Sequence, residues 1–496
     1  MTELLSTKKN LAELMKVIKG AEVHGDTSIT ITGIALDSRQ IIPGDIYVCI
    51  PGFSLDGHDF AESAIKAGAR ALVVERYLPL DVPQLKVEDT RKIVGYLAAE
   101  LYNYPSQQLT LVGVTGTNGK TTVTHLVEEI ARHGGKKTGI IGTLGTKIAD
   151  KELPGQHTTP ESTDIQKVLH EMVQGGVEMA VMEVSSHALD LGRVNGCEFE
   201  SAIFTNLSQD HLDYHKDMDE YLKAKALLFS GMDKNGEKQL AVINADDPAC
   251  DYLKKVTPCS IVTYAIDSKA DFKAKNIHLS DKGVEFEISF KEKSAKVFYR
   301  TPGKFSVYNA MAAFAWGIMS GYAEDEVIGA LESIRGVPGR FESVWGGQPF
   351  LVIVDYAHTP DGLENVLSTA REFTNGKLYT VFGCGGDRDK KKRPLMAEAA
   401  SRWSDYLIVT SDNPRTEDPH SIIQDILPGI NEVDYTVIED RRSAINHACK
   451  TAAAGDTIVI AGKGHEDYQI IGKTKIHFDD REEVRKALRG IGYVEK

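Results

Sequence analysis

No stretch of this sequence approaches the roughly 18–20 consecutive apolar residues that would span a bilayer, which excludes an integral membrane helix. The six cysteines, Cys49, Cys197, Cys250, Cys259, Cys384 and Cys449, are scattered with no Cys-x-x-Cys pair. That spacing argues against a disulfide framework or a thiolate zinc site and fits a reducing compartment, so a cytoplasmic protein is expected. The segment Met1–Lys19 lacks an uninterrupted apolar core, with Lys8, Lys9 and Lys16 interleaved with Glu3 and Glu13, so it is not expected to be a signal peptide. There is no excess of basic charge: the formal net charge is -14. Bulk attraction to nucleic acid or to an anionic membrane is therefore not expected, and any phosphate site must be built locally. Low-complexity tracts and short repeats are also missing.

What is present is enough apolar material, 42% of 496 residues, for several ordinary cores. A chain of this length suggests about three domains of roughly 150 residues. The first hundred residues carry short strand-like runs at Asp45–Ile50 and Ala71–Glu75 and a helix candidate at Thr90–Leu101, closing at Tyr104-Pro105-Ser106. From Leu109 the pattern becomes strand, glycine-rich turn, helix. Strand candidates follow at Gly139–Ile141, Met179–Val184, Ala202–Thr205 and Leu240–Ile243, then helices at Lys304–Met319 and Asp325–Ile334. Gly336-Val337-Pro338-Gly339 reads as a linker. A second α/β series begins at Phe350–Val354 and continues at Leu378–Phe382, Tyr406–Thr410 and Thr457–Ile460. The expected fold is α/β in three domains, 1–105, 106–336 and 337–496, with a mainly parallel central sheet and a doubly wound, Rossmann-like third domain.

The strongest local signal is Gly116-Thr117-Asn118-Gly119-Lys120-Thr121-Thr122, placed after a strand and opening a helix. Backbone N–H groups of such a loop cradle phosphates, Lys120 reaches the terminal phosphates, and the Thr121 hydroxyl can ligate Mg²⁺. The usual Walker spacing would put a first glycine at position 114, where this chain has valine. ATP is the expected ligand. Glu183, at the end of the Met179–Val184 run, is a candidate Mg²⁺ ligand because hard cations take carboxylate oxygens; as a lone strand-end glutamate it is equally a solvated residue. His211, in Thr205–Asp213, is a second candidate ligand, although an isolated histidine is more often structural. Lys223 and Lys225, two apart on a helix candidate, read by pattern as an exposed basic face. In the last third, Arg388 and Arg415 follow successive strands in Gly383–Asp389 and Asp412–Arg415, where planar guanidinium forks suit a carboxylate. A salt bridge is the alternative for each. Gly462-Lys463-Gly464-His465-Glu466 adds flexible backbone and a carboxylate able to receive an amine.

In their order, these segments resemble the Mur ligase family, and within it the diaminopimelate-adding MurE type. The resemblance runs through Asp37-Ser38-Arg39, the phosphate loop, His157–Pro160, Glu183–His187, Asn206–Tyr214, Gly339–Glu342, Asp355–His358 and Asp412–Arg415, and includes the Walker departure. It implies an N-terminal domain for a UDP-sugar, a central ATPase domain, and a C-terminal domain that closes over ATP and brings the amino acid. Ser38 would meet the uridine end; Thr158, Thr159, Ser185 and Arg193 would hold a muramoyl-dipeptide; Asn309, Arg340 and Asp355 would be nucleotide contacts. Lys225 would be carried as a carbamate supporting Mg²⁺, which overturns the exposed-face reading. Asp412-Asn413-Pro414-Arg415 is the mark of diaminopimelate addition, with Arg388, Arg415 and Asn413 on the distal carboxylate and Gly462 and Glu466 on the far amino group.

The reaction implied is phosphorylation of the D-glutamyl side-chain carboxylate of UDP-N-acetylmuramoyl-L-alanyl-D-glutamate, followed by attack of the diaminopimelate amine. Lys120, Lys225 and His211 are the catalytic candidates, and a monomer acting on small molecules is expected. The rivals are a lysine-adding or folylpolyglutamate-type ligase, a nucleotide-switched binding protein, and a simple kinase.

Overall fold

The computed structural model describes residues 7–18, 20–52, 55–155, 157–212, 214–232, 239–280, 282–334 and 336–493. Asp213, part of the Asn206–Tyr214 motif, and the ends of the Met1–Lys19 segment lie outside the described residues. The chain forms two compact units, Met1–Thr263 with Ala315–Tyr322, and Tyr264–Phe314 with Ala323–Lys496.

Among its described residues the first unit holds a short antiparallel pair, Lys9–Asn10 with Thr30–Ile31, and two larger sheets. A five-stranded sheet has the order Glu22–His24, Gln84–Lys86, Ala71–Val74, Asp45–Val48, Gly33–Ala35, parallel except at its first strand. Its inward side chains, Ile46, Val48, Val73 and Leu85, pack with Leu11, Leu14, Val94 and Leu97. Helix Thr90–Leu101 supplies the last two and starts where the Asp89 side chain accepts from Lys92 N. The second sheet is ordered Lys151–Leu153, Gly145–Ile148, Thr138–Gly142, Met179–Glu183, Thr110–Thr115, Ser201–Phe204, Leu240–Asn244, with Ser260–Ala265 beyond. Its central four pairings are parallel. The strands are short apolar runs buried on both faces, as parallel strands must be when helices cover them.

The consequence for function is positional. Thr110–Thr115 lies between Met179–Glu183 and Ser201–Phe204, so the loops leaving three adjacent carboxyl ends stand side by side, where open α/β sheets bind ligands.

The second unit holds three antiparallel strands, Phe272–Ser280, Gly283–Phe290 and Lys293–Tyr299. Val284, Phe286, Ile288 and Phe290 alternate inward along the middle strand, and Phe314 meets Phe272 and Phe290 edge-on. A six-stranded sheet follows in the order Glu342–Ser343, Leu351–Asp355, Thr457–Ala461, Leu378–Phe382, Tyr406–Val409, Asp434–Val437, parallel except at its first strand. Separate apolar clusters line its two faces, giving the doubly wound layering.

One expectation fails. The Gly336–Gly339 segment is a packed turn and not a linker: Val337 is 1% exposed and bridges to Arg340. Gly339 adopts φ +66 against the Gly464–His465 peptide, where a Cβ would fall 2.0 Å from His465 N. Only glycine fits that approach.

Candidate active site

The phosphate loop is fixed mainly by its neighbour strand. Gly116, at φ +151, passes so close to Thr205 that a Cβ would sit 1.9 Å from Oγ1, and Gly119 turns the chain into helix Lys120–His133 at φ +84. Thr117 N donates to Asn206 O at 2.8 Å and Asn118 N to Asn206 Oδ1 at 2.9 Å, while Thr205 Oγ1 donates to Asn118 O at 2.6 Å. Asn206 is thus the partner that shapes the loop. Lys120 Nζ donates to Gly116 O and Thr117 O at 2.9 and 2.8 Å, over the loop it would share with a phosphate. Thr122 is buried on the same helix.

At the next strand end Glu183 is 1% exposed. It accepts from Thr121 Oγ1 at 2.9 Å, from Thr143 N at 2.8 Å and from Thr143 Oγ1 at 3.1 Å. Thr158 Oγ1 lies 3.1 Å from Thr143 Oγ1. Thr159 Oγ1 donates to Glu183 O at 2.8 Å and accepts from Ser185 N at 3.0 Å. Arg193 donates to Thr159 O at 3.1 Å and pairs with Glu161 at 2.9 Å. Thr121, Thr158, Thr159, Glu183, Ser185 and Arg193 therefore form one hydrogen-bonded group. Ser38 stands apart from it, on the one-turn helix Ser38–Gln40 behind Asp37.

Helix Met218–Ser230 separates the two lysines: Lys223 faces solvent, and Lys225 is 1% exposed. Lys225 Nζ donates to Gly116 O at 2.8 Å, the carbonyl Lys120 also uses, and lies 4.3 Å from the Tyr221 ring centroid. Burial, with Lys120 nearby, drives its amine well below the usual lysine value. His211 sits at φ +55 in a ring cluster, 4.8 Å from His187 and 6.0 Å from Tyr221 between centroids, with Nε2 3.5 Å from Asp210. Among the described residues no group of three or more His, Cys, Asp or Glu side chains is arranged to hold a metal.

In the second unit, the loops after Leu378–Phe382, Tyr406–Val409 and Thr457–Ala461 converge. Asn413 O accepts from Gly386 N at 2.9 Å, and Asn413 Nδ2 donates to Glu466 Oε2 at 2.9 Å. Asp412 Oδ2 lies against Gly462, where a Cβ would come within 2.6 Å. Arg415, at φ +51, sends Nη1 to Gly386 O at 2.7 Å. Its backbone is pinned by Arg415 N to Ile470 O and by Gly472 N to Arg415 O. Arg388 is exposed, one residue beyond the Gly386–Asp387 step, and donates to Asp387 O at 3.1 Å. Beneath the loops, buried Arg393 pairs with Glu417, holding that carboxyl down at about 2, and Glu417 accepts from Asp387 N.

Also in this unit, Asp355 Oδ2 accepts from Phe341 N at 2.7 Å and Oδ1 from Ala357 N at 2.8 Å. Burial raises its carboxyl pKa against the pull of Arg340. The Arg340 guanidinium lies 4.9 Å from the centroid of the Tyr356 ring, which also faces His465. Asn309 is buried on helix Lys304–Met319, whose Phe305 packs edge-on to Phe341.

Family models match the chain in three successive segments: the Mur ligase family catalytic domain over residues 30–102, the Mur ligase middle domain over 114–317, and the Mur ligase glutamate ligase domain over 339–464. A Bacillus cereus protein named UDP-N-acetylmuramoyl-L-alanyl-D-glutamate--2,6-diaminopimelate ligase is 48% identical over 463 residues, 93% of this chain and 94% of the relative. The chain belongs to the Mur ligase family. A Geobacillus thermodenitrificans protein of the same name is also 48% identical, over 97% of this chain and 99% of its own. A solved structure bearing that name aligns with a TM-score of 0.71 at 35% identity, over 97% of this Mur ligase and 99% of the other chain. A Mycobacterium tuberculosis folylpolyglutamate synthase complexed with ADP and AMPPCP shares the fold, with a TM-score of 0.62 at 19% identity, over 82% of this chain and 96% of its own.

Three features of this Mur ligase were not found from sequence. Thr143, a principal partner of Glu183, sits in an unremarkable Gly142-Thr143 step. Asn206 stands only at the edge of a motif, although its position just past the strand candidate Ala202–Thr205 is a usable signal. Lys463 is buried in a glycine-flanked loop that reads as flexible.

Proposed function

We propose that this chain is an ATP-dependent amide ligase that adds meso-2,6-diaminopimelate to the D-glutamyl residue of UDP-N-acetylmuramoyl-L-alanyl-D-glutamate in cytoplasmic peptidoglycan precursor synthesis. It would work as a monomer, with segments 1–105, 106–336 and 337–496 taking the UDP-sugar, ATP and amino acid respectively. The relatives' names support the activity. For the choice of amino acid, the carrying observation is the convergence of Arg415, Asn413, Asp412, Gly462 and Glu466 in one loop cluster.

The loop Gly116–Thr122 binds the ATP phosphates through backbone N–H groups, and Lys120 stabilises negative charge as the γ-phosphoryl moves to the glutamyl carboxylate. Thr158, Thr159, Ser185 and Arg193 place that carboxylate beside the loop, and Ser38 meets the uridine end. Glu183 and Thr121 fit a hard cation: their donor oxygens are adjacent, and the buried Glu183 carboxyl is held in place by the Thr121 and Thr143 hydroxyls and the Thr143 N–H. Mg²⁺ held there would neutralise phosphate charge. A neutral Lys225 amine adds to CO₂ and loses a proton, giving a carbamate whose oxygens extend the same ligand set. Burial and the neighbouring Lys120 favour the neutral amine this requires. His211, close to Tyr221 and His187, completes that side.

Asn309, Arg340 and Asp355 are assigned to the nucleotide. The planar guanidinium of Arg415, with Arg388 and Asn413, receives the distal carboxylate of diaminopimelate, while Glu466, Asp412 and the Gly462 backbone receive its far amino group. L-lysine lacks that carboxylate and leaves Arg415 without its partner, so selectivity arises partly from rejection. The test is product analysis by mass spectrometry after incubation with ATP, the UDP-dipeptide and diaminopimelate. The tripeptide product with ADP is expected; ADP formation without a new amide would overturn the assignment.

A further inference from the structure

Lys463 takes part in none of the steps above, yet its side chain is 0% exposed. Its Nζ donates to Glu466 Oε2 at 3.1 Å and to the Tyr468 carbonyl, and lies 5.3 Å from the Tyr468 ring centroid. Long, strongly hydrated ammonium groups are almost never fully buried unless paired, so the position is built around the charge. Gly462 at φ +117 and Gly464 at φ +53 bracket the residue, each pressed against another segment: Gly462 on Asp412, Gly464 on Tyr356 and the Gly339 carbonyl. Glu466 N donates to Lys463 O at 2.9 Å, closing a turn that brings carboxylate and ammonium together.

The partition of the Glu466 oxygens is informative. Oε2 takes both Lys463 Nζ and Asn413 Nδ2, at 3.1 and 2.9 Å. Among the described residues, Oε1 takes only the Tyr468 hydroxyl, at 3.3 Å. A carboxylate offers about four lone-pair directions. Lys463 and Asn413 together therefore occupy one oxygen, and the other is left lightly engaged. Two neutral donors alone would leave the carboxylate free to rotate toward any nearby cation.

We propose that Lys463 is a positioning residue of the amino-acid site, fixing the Glu466 carboxylate so that Oε1 meets the far amino group of the incoming substrate. This rests on the assignment of Glu466 to that amino group. A charge is needed at 463, because a neutral side chain cannot replace a charge-assisted hydrogen bond to a partly buried carboxylate.

The test is a mutant cycle in the full chain, using Lys463→Met, Glu466→Gln and the double variant, with KM measured separately for diaminopimelate, ATP and the UDP-dipeptide. Lys463→Met should raise KM for diaminopimelate at least roughly tenfold, the loss expected of one hydrogen bond to a charged group, with the other two KM values within about twofold. In the Glu466→Gln background the same substitution should add nothing, because the residue it positions is already gone. Effects that multiply, or that fall equally on all three substrates, would mean a purely structural role and overturn the proposal. If Glu466→Gln raises KM and Lys463→Met does not, Lys463 is wrongly assigned while the amino-group reading stands. If Glu466→Gln leaves KM unchanged, both fall. Should Lys463→Met fail to fold, the double variant, which buries no unpaired carboxylate, is compared with Glu466→Gln alone: equal KM values support the positioning role, and a further rise refutes it.

Discussion

Replacing Arg415 by alanine should remove amino-acid selectivity without disturbing the fold, because side chain and backbone are held independently. The backbone at 415 is pinned by its N–H to Ile470 O at 3.0 Å and by Gly472 N to its carbonyl at 2.7 Å, and neither bond involves the guanidinium. The side chain's own anchor is one bond, Nη1 to Gly386 O at 2.7 Å, which leaves the rest of the fork available to a carboxylate. Each hydrogen bond to a charged group contributes roughly 1.5–3 kcal/mol, so losing the grip on the distal carboxylate should lower kcat/KM for diaminopimelate by about 10- to 150-fold. ATP affinity should be unchanged, and the ratio of diaminopimelate to L-lysine use should collapse. Arg415→Gly is the sharper control. Residue 415 adopts φ +51, a conformation that costs a non-glycine residue roughly 1 kcal/mol, so glycine should unfold at the same or a higher temperature while losing the same selectivity. Steady-state kinetics with both amino acids, paired with thermal unfolding, decide the matter. Unaltered selectivity in either variant, with the protein folded, would refute the reasoning.

Other expectations follow from the first unit. Lys225→Ala should lose activity that short-chain carboxylic acids partly restore by supplying the missing oxygens; full activity without them would exclude the carbamate. Burial lowers the Lys225 amine below its unfolded value of 10.5, so between the folded value and 10.5 the unfolded chain holds the extra proton and stability rises with pH. Before carbamylation, the wild type should gain stability relative to Lys225→Met across that window in denaturant titrations, and a pH-independent difference would contradict the buried amine. Gly116→Ala forces Thr205 Oγ1 from its 2.6 Å bond to Asn118, so ATP affinity, measured by calorimetry, should fall by on the order of 100-fold, equivalent to about 3 kcal/mol of clash and lost hydrogen bonding. Glu183→Gln should abolish the Mg²⁺ dependence of turnover while changing the unfolding temperature little; retained Mg²⁺-dependent turnover would remove Glu183 from the metal set.

The parallel strands were legible because they are short, continuous apolar runs ended by glycine or polar residues: Leu378–Phe382 and helices Thr90–Leu101 and Lys304–Met319 match the sequence reading residue for residue. The antiparallel strands at 272–299 were overlooked although Val284, Phe286, Ile288 and Phe290 alternate plainly; the charged residues between them, on the solvent face, disguised the run. Hairpin Tyr468–Ile471 with Thr474–His477 has an exposed second strand and little apolar signal, yet it anchors both Arg415 and Asn413. Turn Gly336–Gly339 looked like a linker because composition cannot distinguish glycine chosen for freedom from glycine chosen for close approach. Lys225 marks the limit of pattern reading. Two lysines two residues apart on a helix point about 200° apart, so a helix packed on one side can bury one and expose the other, and periodicity alone does not say which.

The central claim is tested most directly by phosphate release from Mg-ATP and UDP-N-acetylmuramoyl-L-alanyl-D-glutamate in three parallel reactions, with meso-diaminopimelate, with L-lysine, and with no amino acid. Release that depends on diaminopimelate, with little in the other two, is the expected result. Equal release in all three would contradict the ligase account, and release with lysine alone would keep the chemistry but overturn the role given to Arg415.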